Sequence, residues 1–428
     1  MECYKQICSK KSIEKIFINF KNKSLVHKAL LNKSPVDSRI SLNWCLKNRS
    51  KIASILIKGF KDQNYFPNKK NRLVIHIKNK ERIIYLSNWI DKIVESLVCE
   101  VLNSKFEGVF SDNLFSYRKG RSNFQGVKKL SSYIKKNINL GKSVYLIKKD
   151  IKNYTDTINL EILNNLLKFR LNDEPPYFFD LINSFMHPNF WDLKTKSNNI
   201  LDFGLPTGTN ITNFCGNLYL NNIDNLTTSI NDGLYLRYGD DILYRHTDQN
   251  IVSNVSKLID QEITKLGLSL KEQKESSILL SENSGKDNSF IQNSNIDYLG
   301  FNIDFQGKLF LSNNRIKRIK KELLQIARSS FLNSKHSKST KSETIKNIID
   351  NINFYLNTLN RKHLLYDLIN LCDNTDKFQK LDKWIAKLPL RFVYKTNHDR
   401  VFKHISYKEI RKRGLISIFD IHNRRFRN

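Results

Sequence analysis

The sequence predicts an α+β fold, and three observations lead there. Short runs rich in β-branched and aromatic residues recur at 72–86, 143–147, 234–244 and 298–303. Between them lie longer segments whose apolar residues return at helical spacing. Only 15 Gly and 7 Pro interrupt 428 residues, so the chain reads as one continuous folded body without soft linkers. Hydrophobic residues make up 40% and aromatics 11%, enough for a sizeable core, which excludes a disordered basic tail protein.

The elements follow in order. Residues 1–70 read as a helical N-terminal extension, with Leu42, Cys45, Leu46, Ile52, Ile55 and Leu56 at near-helical spacing and a break at Phe66-Pro67-Asn68. Arg72 to Ile77 and Glu81 to Leu86 flank the polar turn Lys78-Asn79-Lys80, a hairpin pattern. From Asn88 to Leu102 one face carries Trp89, Ile93, Leu97 and Val101, which predicts a buried helix. Ser143 to Ile147 reads as a core strand delivering Asp150 at its end, and 158–169 returns to helical period. Gly204-Leu205-Pro206-Thr207-Gly208 is a turn-forming loop, after which Thr209 is placed to cap a helix over 210–223. Leu234 to Tyr238 and Ile242 to Tyr244 form a hairpin across Gly239-Asp240-Asp241. Tyr298 to Ile303 is a further strand, and 315–328 an amphipathic basic helix bearing Lys317, Lys320 and Lys321.

The net charge is +31, and such an excess points to a polyanionic partner, since nucleic acid releases counterions to Lys and Arg. An A+T-biased genome also inflates Lys, Asn and Ile, so part of the charge is open to a compositional reading. From Arg391 onward 11 Lys and Arg face 3 Asp and Glu, a phosphate-contacting appendage by charge. No apolar run approaches the ~18–20 residues of a membrane span, and the first twenty residues lack a signal-peptide pattern, so a soluble cytoplasmic protein is expected. The six cysteines are scattered without a C-x-x-C pair, which argues against zinc and against a disulfide framework.

Asp150 at a strand end, followed by Asp240-Asp241 in a hairpin turn, is the pattern that carries chemistry. Phosphoryl transfer to a 3′-hydroxyl uses two Mg²⁺ ions about 3.5–4 Å apart, and hard cations take carboxylate oxygens. Carboxylates at one strand end and an adjacent hairpin tip can bridge both ions if the strands share a sheet. Taken singly, an Asp-Asp turn reads more readily as a solvated hairpin tip.

Seven blocks in order widen that context. They are Lys80-Glu81-Arg82-Ile83-Ile84, Tyr117-Arg118-Lys119-Gly120-Arg121-Ser122, Asp150-Ile151-Lys152-Asn153-Tyr154-Thr155-Asp156-Thr157-Ile158, Gly204-Leu205-Pro206-Thr207-Gly208-Thr209, Tyr238-Gly239-Asp240-Asp241, Leu268-Ser269-Leu270-Lys271-Glu272-Gln273-Lys274 and Tyr298-Leu299-Gly300-Phe301. Over about residues 72 to 330 the chain resembles the bacterial reverse transcriptases, the family of retron, group II intron and antiviral defence enzymes. The resemblance implies a right-hand polymerase fold with basic fingers, a palm built on an antiparallel sheet and a helical thumb. The corresponding segments are 1–70 (N-terminal helical extension), 71–310 (fingers and palm), 311–385 (thumb) and 386–428 (basic C-terminal tail).

It further implies that Asp150 and Asp240 ligate two Mg²⁺, with Mn²⁺ a substitute, that Asp241 supports them and that the Ile151 carbonyl completes one site. Arg82 and Arg118 match finger positions that clamp the incoming triphosphate; either also reads as a surface charge. Lys274 matches a lysine that protonates departing pyrophosphate, or is a mobile surface lysine. Tyr298 and Gly300 resemble the primer grip, with a core strand the competing reading. Lys317, Lys320 and Lys321 would lie along duplex phosphates.

Two departures bear on nucleotide choice. Thr155, with Tyr154 before it, stands where an aromatic usually walls off the ribose 2′ position, and Thr207 replaces a glutamine beside the nucleotide. Unusual base or sugar selection is the expectation. The implied function is RNA-directed DNA synthesis from dNTPs, on a structured noncoding RNA in bacterial antiphage defence, with a second subunit or homo-oligomer open. An RNA-dependent RNA polymerase or a template-independent nucleotidyl polymerase is the neighbouring reading. A non-catalytic RNA-binding protein is the reading from another class.

Overall fold

The computed structural model describes residues 2–26, 40–77, 80–228, 230, 232–272, 277–281, 285–287, 290–361, 369, 371–373, 376–396 and 398–423. The chain divides into two compact units, Met1–Ser122 with Tyr145–Ser277, and Asn123–Val144 with Ile278–Asn428. These boundaries do not follow the four expected segments. In particular, the first seventy residues belong to the first unit, and 123–144 joins the second.

In the first unit the helix Trp89–Lys105 forms the centre of a helical layer, burying Ile93, Val94, Leu97, Val98, Val101 and Leu102. The Asn88 side chain caps it by accepting the Asp91 N–H. Helices Glu2–Ile7 and Lys10–Val26 pack on this layer. Glu174 holds the first of them, its carboxylate accepting the backbone N–H groups of Cys3 at 2.8 Å and Tyr4 at 3.0 Å.

Two β layers accompany these helices. Strands β1 (Lys70–Ile77) and β2 (Lys80–Leu86) pair antiparallel, with Arg82 opposite Ile75. The further strands are β3 (Val144–Asp150), β4 (Asn189–Asp192), β5 (Ser197–Ile200), β6 (Leu234–Tyr238) and β7 (Asp241–His246). β4 runs parallel to β1 and carries β5 on its other edge. β6, β7 and β3 lie side by side in that order, each antiparallel to its neighbour. Helices Asn221–Thr228 and Gln249–Lys265 cover β6 and β7.

The expected helix over 210–223 is two helices, Asn210–Tyr219 and Asn221–Thr228. Leu220 leaves helical geometry between them, its N–H turning to the Leu218 carbonyl.

In the second unit the helix Asn123–Asn139 buries Val127, Leu130 and Ile134. Its Ser131 hydroxyl donates to the Gly307 carbonyl at 2.6 Å. Only glycine fits there, because a Cβ on Gly307 would meet the Ser131 carbonyl oxygen at 2.8 Å. Strand β8 (Ser277–Leu280) runs parallel to β10 (Phe290–Asn293), which pairs antiparallel with β9 (Gly285–Asp287).

The expected strand over 298–303 is instead a hairpin, β11 (Asn295–Tyr298) and β12 (Phe301–Asp304), with β13 (Leu309–Leu311) beside it. Leu299 and Gly300 both take positive φ, +48° and +88°, which is the backbone of a type I′ turn. Helices Asn313–His336, Lys341–Arg361 and Asp376–Tyr394 pack on one another. Among the described residues no helix is long and apolar enough to cross a membrane.

Candidate active site

The site grows out of the β6–β7 hairpin. Tyr238 pairs with Asp241 across the two-residue loop Gly239-Asp240. Gly239 has φ +64° while Asp240 stays on the negative side, the pattern of a type II′ turn, which glycine supplies without strain. β7 then pairs with β3 so that Asp150 sits opposite Asp241. Directly opposed residues hold their Cβ atoms roughly 4.5–5.5 Å apart, so residues ninety positions apart in sequence arrive side by side.

Arg237 anchors the turn from beneath. Its side chain and that of Asp224 are both fully buried, with contacts of 2.6 Å from Nε to Oδ1 and from Nη2 to Oδ2. Nη1 donates to the Gly239 carbonyl at 3.1 Å, and the Tyr235 hydroxyl donates to Asp224 Oδ1 at 2.6 Å. The Gly239 N–H in turn donates to the Ser116 hydroxyl at 2.8 Å. The peptides on both sides of Gly239 are therefore held.

The carboxylates are crowded. Burial raises the Asp240 carboxyl above its usual range, and the Asp150 carboxylate within hydrogen-bonding reach raises it further, while Lys271 opposes both. Burial likewise lifts Asp241 to about 6, with Lys148 pulling down and Asp150 and Asp240 pushing up. Lys271 Nζ spans both oxygens of Asp150 at 2.8 and 2.7 Å, and Lys148 Nζ lies 3.7 Å from Asp241 Oδ2. Asp241 Oδ1 is buried and has no hydrogen-bond partner among the described residues.

Ile151 forms a β-bridge with Leu270 flanked by Lys152 N–H to Ser269 O and Lys271 N–H to Asp150 O, both 2.8 Å. The Ile151 carbonyl itself takes no part in that ladder. Among the described residues no group of three or more His, Cys, Asp or Glu side chains is drawn together as a metal cluster. Asp150 is instead gripped by the Lys271 ammonium.

The raised Asp241 carboxyl gives a signed expectation. Its protonated form is favoured by folding, so its contribution is complete below the ordinary 3.8 and is lost as pH rises through about 6. In EDTA, Asp241→Asn should therefore stabilise the protein at pH 7.5 by about 1–2 kcal/mol more than at pH 4. Equal changes in urea-unfolding free energy at both pH values would contradict it.

The nucleotide-side residues divide. Thr155 and Thr207 face each other with hydroxyls 3.1 Å apart, and Leu205 N–H donates to the Thr155 carbonyl at 2.8 Å. The two departures from the family pattern are thus one contact. Gly204 permits the approach, since a Cβ there would strike the Asp156 carbonyl at 2.8 Å. Arg82 is exposed on β2.

Tyr154 does not line this pocket; it is buried, and its hydroxyl donates to the Gly216 carbonyl. Arg118 is not a free clamp either. Its guanidinium is buried and donates to Glu107 Oε1 and to the Ser111 carbonyl, each at 2.6 Å. A guanidinium so engaged positions its own loop.

In the second unit Tyr298 is a core side chain, 1% exposed, and Gly300 faces Arg315. Lys317 and Lys321 are exposed on the helix Asn313–His336, whereas Lys320 lies 5.2 Å over the Trp384 ring. Lys274 lies outside the described residues. Arg237, Asp224, Lys148 and Lys271 went unmarked as site residues in the sequence, although an arginine inside the apolar run Tyr235-Leu236-Arg237-Tyr238 already demands a buried carboxylate.

Carboxylates brought together at a strand end and a hairpin tip on one antiparallel sheet offer the hard oxygen ligands that metal-assisted phosphoryl transfer uses. Residues 67–303 match the family model described as reverse transcriptase (RNA-dependent DNA polymerase), and the chain belongs to that family. Its fold is accordingly the right-hand polymerase fold.

A curated relative is the group II intron-encoded protein LtrA of Lactococcus lactis subsp. cremoris, 27% identical over 175 residues, which are 40% of this chain and 27% of LtrA. The chain thus spans about a quarter of that relative's length. Among solved structures, apo telomerase from Candida tropicalis superposes with a TM-score of 0.49 at 11% identity, covering 88% of this chain and 74% of that one. Telomerase from Candida albicans, solved with a fragment of telomeric RNA, gives 0.46 at 13% identity, covering 88% and 68%.

Proposed function

We propose that this chain copies an RNA template into DNA by nucleotidyl transfer at Asp150, Asp240 and Asp241. The observation that carries the reading is the register that sets Asp150 opposite Asp241, with Asp240 against Asp150, inside a chain of this family.

The donor set suits Mg²⁺ or Mn²⁺: hard oxygens only, a crowded carboxylate pair and a buried Asp241 oxygen left without a partner among the described residues. Asp150, Asp240 and the Ile151 carbonyl would hold the ions, with Asp241 behind them. When bound, such ions neutralise charge that develops on the phosphoryl oxygens. Exposed Arg82 is free to meet a triphosphate, and Lys274 is assigned the proton that the leaving pyrophosphate takes up.

Residues 71–310 act as fingers and palm, and 311–385 as the thumb along the duplex through Lys317 and Lys321. The biological setting that this reading favours is the bacterial cytoplasm, with a structured noncoding RNA as template and phage restriction as the outcome. Sequencing nucleic acid copurified with wild type and with an Asp240→Ala/Asp241→Ala double variant tests it. DNA complementary to one RNA, present only with wild type, is expected; RNA without complementary DNA in both would leave a binding protein.

Sugar selection is a second test. With Thr155 in place of an aromatic, wild type should extend primers with rNTPs measurably. Thr155→Phe should depress rNTP use relative to dNTP by roughly tenfold to a hundredfold, the scale of one steric contact in a pocket. Wild type that already rejects rNTPs would refute this.

A further inference from the structure

Tyr117 combines features that ordinary packing does not explain. Its φ is +56°, a conformation costly for a bulky side chain, and yet the side chain is 55% exposed. The residues on either side are locked. Ser116 accepts the Gly239 N–H and donates to Asn217 Oδ1 at 3.0 Å, while Arg118 is bound to Glu107 and the Ser111 carbonyl. Held between these anchors, the Tyr117 ring stands 6.3 Å from that of Tyr238, tilted by 39°, at the Gly239-Asp240 turn.

The same ring lines a cleft of about 1140 Å³ that continues to the helices Lys10–Val26 and Trp89–Lys105. Asn19, Ser96, Asn103, Ser104 and Asn210 give its walls amide and hydroxyl groups. Its two lysines, Lys15 and Lys119, are matched in number by two carboxylates, Glu100 and Glu107, and Lys15 pairs with Glu100. Such a lining suits the edges and faces of bases better than a phosphate backbone.

We infer that this cleft receives the unpaired template strand, and that Tyr117 is the platform on which its base stacks just before entering the duplex beside Asp240. The inference rests on the polymerase reading and adds a template-positioning residue to it. Stored backbone strain is then the means by which an aromatic face is kept presented to the strand.

The probe is a primer–template whose first unpaired template base is 2-aminopurine, with a blunt duplex as control, titrated without nucleotide. Wild type should quench the overhang signal. Tyr117→Ala should weaken overhang binding by roughly 5- to 150-fold, the worth of one base–aromatic stack, and leave blunt-duplex binding unchanged. Tyr117→Phe should restore quenching and affinity. Tyr117→Gly, which adopts φ +56° without strain, should match or exceed wild type in thermal midpoint yet bind the overhang as poorly as the alanine variant, so loss of binding is separable from loss of fold.

Overhang binding by Tyr117→Ala or Tyr117→Gly equal to wild type would overturn the inference. So would equal losses on overhang and blunt duplex. Tyr117-dependent overhang binding in a protein that extends no primer would retain the cleft and discard the polymerase reading.

Discussion

Replacing Asp240 with alanine is expected to reduce primer extension by roughly a thousandfold or more, since several kcal/mol of charge stabilisation at the transferring phosphoryl group depend on the ions it would hold. Stability should not fall with activity. Asp240 is raised by burial and by the neighbouring Asp150 carboxylate, so the folded chain bears a cost for its charge that alanine removes. The decisive comparison is single-turnover extension beside the unfolding midpoint and duplex affinity. Extension within tenfold of wild type would remove Asp240 from the chemistry. A lost midpoint would turn the effect into one of folding.

The second large effect lies below the turn. Asp224→Ala is expected to cost about 3–5 kcal/mol of stability, because it strands the buried Arg237 guanidinium without its carboxylate. In thermal unfolding this is on the order of 10 °C for a unit of this size. Burial pulls the Arg237 pKa down and Asp224 is the main group that offsets it, so the variant leaves the cation's burial uncompensated, and a guanidinium, which stays protonated in proteins, cannot escape by losing its proton. Arg237 Nη1 also holds the Gly239 carbonyl, and extension should decline with stability. Replacing both residues by apolar ones of similar volume should recover much of the stability without the activity. A change below about 1 kcal/mol for Asp224→Ala would show that water reaches the pair.

What the sequence made legible was local. A β-branched run ending in Asp150 and a Gly239 turn between alternating strands follow from side-chain period and turn chemistry, and the structure has both. Long-range pairing was not readable in this way. Arg118 resembled a phosphate clamp because nothing nearby marks Glu107 and the Ser111 carbonyl as its partners. Tyr154 reads as a pocket residue by sequence, whereas its hydroxyl donates to the Gly216 carbonyl, 62 positions away.

The Thr155 and Thr207 departures were visible one by one, but their mutual hydrogen bond needed the loop and the turn to be brought together. Similarly, apolar spacing continues through Leu220, whereas the helix does not. Tyr298 fits both the grip and the core pattern by sequence, and its burial is what either pattern requires of the ring.

The excursion of the helix Asn123–Asn139 into the second unit has a price during synthesis. Val127, Leu130 and Ile134 leave the ribosome long before Gly307, the residue that closes on Ser131, has been made. At about 5–20 residues per second that interval is roughly ten to thirty seconds. A nascent chain of this protein therefore carries a bare greasy stripe through about two-fifths of its translation, which makes it a natural client for cotranslational chaperones and a slow polypeptide to mature at low temperature.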